Sequence, residues 1–311
     1  VPMEPGGVAF VGQSGWASEN TTRLGSERGL RFSGIISIGN QSDLTIEDFL
    51  EYFGNDPETK VFAAYIEGIK HPRRFLKLVE EVSPKKPIIV WKGGSSEFGA
   101  KSAASHTGSL TGNYALFEAV SRQKGIISAR SLEEMLDLAV AFSCPYLPAS
   151  REVGLLIEAG GGAVATADAC AKAGLNISPL PAHVQKQIRE FLEGKVPPSP
   201  ARGNPVDLVW VPFVEAPSIY GTCLEIMAKV VDSCLTICYA FLEDERFLTR
   251  LESIRDQNKK PIIVVPGNSI DQRQGMSLAT RRGIPAYTMP ENAVKALAAM
   301  ARRAEYLRSL T

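Results

Sequence analysis

The sequence predicts an α/β protein built from two tandem domains, each a doubly wound, mostly parallel sheet, that are related by duplication. Two observations support this fold class. Short β-rich apolar runs alternate with longer helical patterns along the 311 residues, which is typical of parallel α/β sheets. The same landmarks also recur in the same order in both halves, and a chain of this length suffices for two domains of about 150 residues.

The apolar runs predict the strands, because each run is short, β-rich and bounded by glycine, proline or polar residues. Apolar residues three and four positions apart predict amphipathic helices between the runs, for example over Phe75–Val82 and Leu132–Ala139. We expect strands at Val8–Val11, Gly34–Ile38, Val61–Ile66, Ile88–Trp91, Gly154–Ile157, Leu235–Phe241 and Ile262–Val265.

Four pairs of segments carry the internal repeat. Any single pair is weak support, but four pairs in one order indicate duplication. The pairs are VAFVGQSG at 8–15 with VGLLIEAGGG at 153–162, GNQSDL at 39–44 with GNPVDL at 203–208, KKPIIV at 85–90 and again at 259–264, and KGII at 124–127 with RGIP at 282–285.

A proline-containing stretch separates the two copies. Pro145 and Pro148 lie within Ser143–Glu152, and prolines between periodic segments mark loops and linkers. We therefore expect a first domain over 1–147 and a second over 148–311.

Composition argues against several classes of protein. Lys+Arg and Asp+Glu are equal at 34 each, so the chain lacks the basic field of non-specific nucleic-acid binders. The five cysteines form no CxxC pair, so neither a zinc site nor a disulfide framework is expected. No apolar run approaches the roughly 18 residues of a membrane helix. We expect a soluble, cytoplasmic protein without nucleic-acid, membrane or metal partners. Because a strand signal follows Val1 almost at once, we also expect that an upstream segment has been removed or belongs to another polypeptide.

The first copy contains an inserted loop. Pro87 to Gly125 spans 38 residues, whereas the equivalent Pro261 to Gly283 spans 22. Most of the excess lies at 93–112, in GGSSEFGAKSAASHTGSLTG, whose small residues supply little packing. Added loops of this kind are more often functional than structural, and this one contains His106.

His106 is the candidate nucleophile of this loop. It precedes the helical stretch NYALFEAVSRQ and has Ser105 and Thr107 as neighbours. Neutral imidazole is a nucleophile near pH 7, and its phosphorylated form persists only if the anionic oxygens are neutralised and kept from water. From residue type alone, a surface histidine in a loop is the alternative.

Two glycine-containing turns are the candidate anion sites. VAFVGQSG and LLIEAGGG each run from a strand into a helix, whose first N–H groups and dipole favour an anion. In the first turn Ser14 can cap the helix or donate to phosphate beside Gly15; in the second, Gly160, Gly161 and Gly162 allow close approach. Each turn alone is also a common strand-to-helix connection, and neither matches a P-loop or a full GxGxxG.

Glu67 is the candidate acidic partner of His106. It ends the strand in VFAAYIEG, and ligands of parallel sheets bind at the carboxyl ends of the strands. The carboxylate could accept a hydrogen bond from one ring nitrogen of His106, which leaves the other nitrogen free to attack phosphorus. A solvated strand-end carboxylate is the alternative.

These residues carry a resemblance to a known family. The segment KKPIIVWKGGSSEFGAKSAASHTGSLTG resembles the phosphohistidine region of ADP-forming acetyl-CoA synthetases, and the order QSG, YIEG, SHTG, GGG, NPVDL is similar to NDP-forming acyl-CoA synthetases of the succinyl-CoA synthetase superfamily. The resemblance implies two flavodoxin-like CoA-ligase domains, a phosphorylated His106 and Glu67 as its acidic partner. It also implies that Ser14, Gly15 and Gly160 to Gly162 hold the phosphate.

The reaction implied by the resemblance is acyl-CoA + NDP + phosphate ⇌ acid + CoA + NTP. Coenzyme A, a small carboxylic acid, phosphate and ATP/ADP or GTP/GDP are then substrates, Mg²⁺ accompanies the nucleotide, and no tightly bound cofactor is expected. The family's CoA-binding and ATP-grasp modules are not in this sequence. We therefore expect them to come from partner domains or subunits, in a homo- or hetero-oligomer.

The sequence also departs from the family pattern. Trp16 is bulky where a small residue usually follows QSG, and Glu158 replaces a more usual Asn or similar residue before GGG. Asn204 and Asp207 match a motif of the second domain without a clear ligand role. Two other functions stay open: a non-catalytic CoA-ester-binding or scaffold protein of the same fold, and a flavin- or nucleotide-binding relative of flavodoxin.

Overall fold

The computed structural model of the chain describes residues 4–99, 112–158, 160–199, 203–239, 242–267 and 272–311. The chain forms two compact units. Unit 1 is Val1–Ser143 together with Tyr306–Thr311, and unit 2 is Cys144–Glu305. Each unit has its own parallel sheet, so the predicted α/β class with tandem, parallel-sheet domains is confirmed.

The described part of unit 1 contains a five-stranded parallel sheet in the order β2-β1-β3-β4-β5. Its strands are β1 (Pro5–Gly12), β2 (Phe32–Ser37), β3 (Val61–Ile66), β4 (Ile88–Lys92) and β5 (Ile126–Ala129). Its helices are α1 (Gly15–Glu27), α2 (Ile46–Asn55), α3 (Pro72–Val82), α4 (Tyr114–Lys124) and α5 (Leu132–Ala141).

This strand order determines where a ligand would bind in unit 1. The chain leaves β1 toward β2 on one side and returns to β3 on the other, so the order reverses between β1 and β3. In open parallel sheets, ligands bind at such a reversal, outside the carboxyl ends of the strands. The residues that follow β1 and β3 are therefore the first place to look for a site.

Unit 2 repeats the same order with four parallel strands among its described residues, β7-β6-β8-β9. Val264 in β9 also forms a parallel bridge with Ala286, at the position that β5 has in unit 1. The strands are β6 (Val153–Ile157), β7 (Val206–Asp207), β8 (Ser233–Cys238) and β9 (Ile262–Pro266), and the helices are α6 (Gly160–Ala173), α7 (Ala182–Leu192), α8 (Ala216–Ala228), α9 (Glu245–Asn258), α10 (Arg273–Arg281) and α11 (Pro290–Arg308).

Two strands, β5 and β7, were not predicted from the sequence, and the predicted bounds of a third strand, β8, were shifted. β5 follows directly on the αL residue Gly125 that ends α4, and β7 has only two residues, so neither gives a long apolar run. Among the described residues, the strand predicted at Leu235–Phe241 is Ser233–Cys238; Ala240 and Phe241 lie outside those residues. It ends there because its pairing with β9 ends at Cys238 and Pro266.

The central strands are apolar throughout because both faces of each sheet are covered, as in parallel sheets generally. In β1, Ala9 and Val11 belong to the core on the side of α2 and α3. Phe10 between them is also fully buried, against the opposite face. All five residues of β6 and of β9 are buried.

The helices between the strands are amphipathic. In α3, Phe75, Leu78, Val79 and Val82 are buried, whereas Lys77 is exposed. No helix within the described ranges is both long and apolar enough to cross a lipid bilayer.

Candidate functional site

Ser14 and Gly15 form the first turn at the carboxyl edge of the sheet in unit 1. Ser14 is the N-cap of α1, and its hydroxyl oxygen accepts a hydrogen bond from Ala17 N at 3.3 Å. A Cβ placed on Gly15 would have no described atom within 4 Å. The start of α1 is therefore capped by a hydroxyl and open above Gly15, where partnerless N–H groups of a first helical turn can meet an anion.

Glu67 lies beside this turn, immediately after β3. Only 8% of the residue is exposed. Its Oε1 accepts a hydrogen bond from the Tyr65 hydroxyl at 3.1 Å, whereas its Oε2 is buried and has no hydrogen-bond partner in the part of the chain that the structure describes. A buried polar atom without a partner is rare in proteins and calls for an explanation such as a missing ligand or a catalytic role.

Two further polar residues hold the main chain of Glu67, and sequence reasoning did not single them out. Gln13 Oε1 accepts hydrogen bonds from the backbone N–H of Glu67 at 2.5 Å and of Gly68 at 3.1 Å. Lys92 Nζ donates to the carbonyl oxygens of Glu67 and Gly93, each at 2.7 Å. A signal existed in the sequence, since Lys92 is a charged residue within the apolar run IIVWK.

Burial perturbs the titration of two groups around Glu67. It lowers the pKa of Lys92 to about 8, although the charge of Glu67 acts in the opposite direction. It raises the pKa of Tyr65 to about 12, with a further contribution from Glu67. Groups with shifted pKa values cluster at functional sites, because such sites combine burial with close charges.

Aromatic rings line the same edge. The rings of Tyr65 and Trp91, on paired strands, have centroids 4.5 Å apart. The Trp16 ring meets Trp91 edge-on at 6.4 Å and remains 61% exposed. The bulky residue after QSG is therefore part of a row of three rings that leads to Glu67.

His106 lies outside the described residues. The segment that leads to it leaves the sheet after β4, which is the neighbour of β3. A Cβ on Gly93 would lie 2.8 Å from Tyr65 Oη and 3.4 Å from Glu67 Cγ, so this segment begins against Glu67. The helix predicted after the loop is confirmed as α4, whose N-cap Asn113 accepts from Leu116 N at 3.0 Å.

Gly160, Gly161 and Gly162 are the first residues of α6 in unit 2, at the corresponding edge of that sheet. A Cβ on Gly161 would have no described atom within 4 Å, and one on Gly160 would lie 3.7 Å from Asp207 Oδ2. Asp207 Oδ1 accepts from Val209 N at 2.8 Å. The helix start is thus open above Gly161, with one carboxylate nearby.

The structure gives Glu158 and Asn204 contacts within unit 2. Glu158 is buried; its Oε1 accepts from Val211 N at 2.9 Å and its Oε2 from the Tyr220 hydroxyl at 2.6 Å. Asn204 Nδ2 donates to the carbonyl of Val153 at 2.8 Å, and its side-chain oxygen accepts from a backbone N–H of β6. Both side chains tie loops to the sheet.

The fold is that of two flavodoxin-like domains, and the family models identify them as paired CoA-ligase domains. The family model of the succinyl-CoA ligase like flavodoxin domain matches residues 5–142, and that of the Ligase-CoA domain matches residues 153–308. The chain therefore belongs to the family of NDP-forming acyl-CoA synthetases.

Individual relatives agree with this assignment. The chain is 34% identical over 307 residues to the alpha subunit of acetate–CoA ligase [ADP-forming] II of Pyrococcus furiosus. This match covers 96% of this chain and 66% of the relative. It is 35% identical over 297 residues to acetate–CoA ligase [ADP-forming] of Methanocaldococcus jannaschii, covering 94% and 42%. The chain thus spans between two fifths and two thirds of the length of these relatives.

A solved structure has the same fold throughout the chain. It is the dinucleotide forming acetyl-coenzyme A synthetase 1 of Ca. Korarchaeum cryptofilum in complex with phosphate and ADP. The TM-score is 0.86 at 30% sequence identity, and the match covers 100% of this chain and 68% of the other.

Proposed function

We propose that this chain is the phosphohistidine-relay portion of an NDP-forming acyl-CoA synthetase, with the overall reaction acyl-CoA + NDP + phosphate ⇌ acid + CoA + NTP. His106 is the residue that carries the phosphoryl group, and Glu67 is its acidic partner. The observation that carries the proposal is the buried Oε2 of Glu67, an acceptor with no partner within the described ranges, next to the point where the His106 segment leaves the sheet.

The transfer follows from the chemistry of imidazole. One ring N–H of His106 donates to Glu67, which offsets the positive charge that develops on the ring during attack. Inorganic phosphate first attacks the thioester carbonyl of acyl-CoA; the C–S bond breaks, CoA leaves as the thiol after taking the proton of the phosphate, and an acyl phosphate forms. The lone pair of the other nitrogen of His106 then attacks phosphorus of the acyl phosphate; the P–O bond to the acid breaks and a P–N bond forms. The phosphoryl group then passes to the terminal oxygen of NDP, which yields NTP and neutral imidazole.

The two helix starts supply the anion-binding groups of this proposal. Ser14 and Gly15 begin α1, and Gly160 to Gly162 begin α6. The first N–H groups of a helix have no acceptor within it, and the helix dipole favours negative charge there. Each start is open at one glycine, which lets phosphate oxygens approach the backbone.

Coenzyme A, a small carboxylic acid and an ATP/ADP or GTP/GDP pair with Mg²⁺ are the proposed substrates. The family match covers the two CoA-ligase domains. CoA-binding and ATP-grasp modules are therefore the proposed partners, as domains or as subunits.

Labelling of the histidine tests the proposal. The chain is incubated with a nucleotide-binding partner subunit, Mg²⁺ and γ-labelled ATP or, separately, GTP. We expect acid-labile, alkali-stable label on the wild type and on His183→Ala and His71→Ala, but not on His106→Ala. The sequence has three histidines, so the two controls complete the set. Absence of label with both nucleotides would instead favour a non-catalytic CoA-ester-binding or scaffold protein.

A further inference from the structure

The main chain of Glu67 is held from both sides by side chains of neighbouring strands. Its N–H donates to Gln13 Oε1 at 2.5 Å, and its carbonyl oxygen accepts from Lys92 Nζ at 2.7 Å. Gln13 follows β1 and Lys92 ends β4, and these two strands flank β3 in the sheet. The backbone of Glu67, whose carboxylate is proposed to serve His106, is therefore held at both its N–H and its carbonyl oxygen.

Gln13 also couples Glu67 to the helix start. Its backbone N–H donates to the carbonyl of Tyr65 at 3.1 Å, and its side chain accepts from Glu67 and Gly68. The next residue, Ser14, is the N-cap of α1. Gln13 therefore fixes the separation between the start of α1 and the main chain of Glu67.

The burial of the Gln13 and Lys92 side chains is unfavourable for the stability of the fold. Gln13 is 5% exposed, and its Nε2 has no hydrogen-bond partner within the described ranges. Lys92 is 6% exposed and uses its ammonium group on two carbonyl oxygens. Burying a charge or an unpaired amide is unfavourable, and such features are commonly retained where function requires a fixed geometry.

We propose that Gln13 and Lys92 are positioning residues, which present the Oε2 of Glu67 as a fixed acceptor at a set distance from the start of α1. This inference rests on the proposed function. Neither side chain is assigned a contact with the phosphoryl group; each acts through Glu67.

A phosphorylation assay with matched variants tests the inference. Gln13→Met removes the acceptor at similar length, and Lys92→Met removes the donor. We expect each to slow histidine labelling by γ-labelled ATP at least 10-fold at saturating ATP, with the half-saturating ATP concentration unchanged. Lys92→Arg keeps a cationic donor and should recover at least part of the lost rate.

Lys86 provides the control for a merely structural effect. Its ammonium group also donates to two carbonyl oxygens, of Phe53 at 2.8 Å and of Asp56 at 2.5 Å, but it lies before β4, at the opposite end of that strand. Lys86→Met should lower the melting temperature and leave the labelling rate within twofold of wild type. Equal loss of labelling in Lys86→Met and Lys92→Met would overturn the positioning role.

Amide hydrogen exchange separates this inference from the proposed function. In Gln13→Met, the amides of Glu67 and Gly68 should exchange at least 10-fold faster than in wild type, which ¹⁵N NMR measures without any substrate. Unchanged exchange overturns the inference even if no histidine is labelled. A labelled wild type with normally labelled Gln13→Met and Lys92→Met overturns it while the proposed function stands.

Discussion

Two equivalent residues of the repeats, Gln13 and Glu158, extend their side chains toward opposite neighbours in their sheets. Gln13 follows β1 and Glu158 follows β6, each two residues before a helix, and the backbone N–H of each donates to the carbonyl of the next strand, Tyr65 or Ile237. The Gln13 side chain reaches to the end of β3, whereas Glu158 reaches to Val211 beyond β7 and to Tyr220.

The strand-end residues differ in parallel. Glu67 follows β3, and Tyr239 occupies the equivalent place after β8. In unit 1 a carboxylate therefore keeps one oxygen without a described partner, and in unit 2 the carboxylate of Glu158 has both oxygens bonded. The comparison shows that one scaffold can leave a carboxylate oxygen at its strand ends without a described partner or can bond both oxygens, depending on a few residues that follow its strands.

The largest effect is expected for the carboxylate of unit 1. Glu67→Gln keeps the shape of the side chain but removes its charge, and we expect histidine labelling to fall about 100-fold or more, the range of general acid–base and orienting groups. The melting temperature should not fall, because a buried charge is removed. Glu158→Gln in unit 2 is the matched control; a similar loss of labelling there would erase the functional contrast between the units.

The carboxylate of unit 2 should matter for stability instead. Glu158→Ala removes the acceptor of the Val211 amide and the nearer of the two acceptors of the Tyr220 hydroxyl, which keeps only the Ile237 carbonyl at 3.4 Å. We expect this to cost about 2–4 kcal/mol. Urea titration checks this through the fluorescence of Trp210, the tryptophan of unit 2, in a background with Trp16→Phe and Trp91→Phe. A change below about 1 kcal/mol would contradict the bracing role.

Lys92 should make the stability of unit 1 depend on pH. Burial lowers its pKa from 10.5 to about 8 in the folded chain, so between these values the unfolded chain holds a proton that the folded chain has lost. The contribution of Lys92 to the free energy of unfolding therefore rises with pH across this window and is lost as pH falls through about 8.

Urea titrations of wild type and Lys92→Met at pH 7.5 and pH 9.5 measure this contribution. The stability of wild type relative to the variant should increase at the higher pH. A constant difference would mean that the lysine keeps an ordinary pKa.

The smallest effects concern the open glycines. Gly15→Ala and Gly161→Ala lie in first helical turns with no described atom within 4 Å of the added Cβ, so each should stabilise the chain by about 0.5–1 kcal/mol through helix propensity. If phosphate approaches these turns, labelling should nevertheless slow. Melting and labelling of the same variants therefore compare the two turns directly, and undiminished labelling in both would argue against anion binding at either.

Much of this arrangement could be predicted from the sequence. Apolar runs predicted the bounds of five strands closely. Glu67 could be chosen as a candidate site residue because it ends such a run and precedes a glycine. The contacts of Gln13 and Lys92 with the main chain of Glu67 could not be predicted, since they depend on residues of three strands meeting at one edge. The hydrogen bonds of Glu158 could not be predicted either, because the sequence does not show which neighbouring element a buried side chain contacts.

Gly93 also limits how the proposed nucleophile is delivered. This residue lies against Glu67 and Tyr65, and His106 is 13 positions further along the chain. Even a fully extended chain of that length reaches only about 45 Å. The imidazole is therefore tethered to the carboxylate it is proposed to serve, so its local concentration is independent of how much protein is present. Dilution would not weaken their encounter, and the chemistry between them would remain unimolecular.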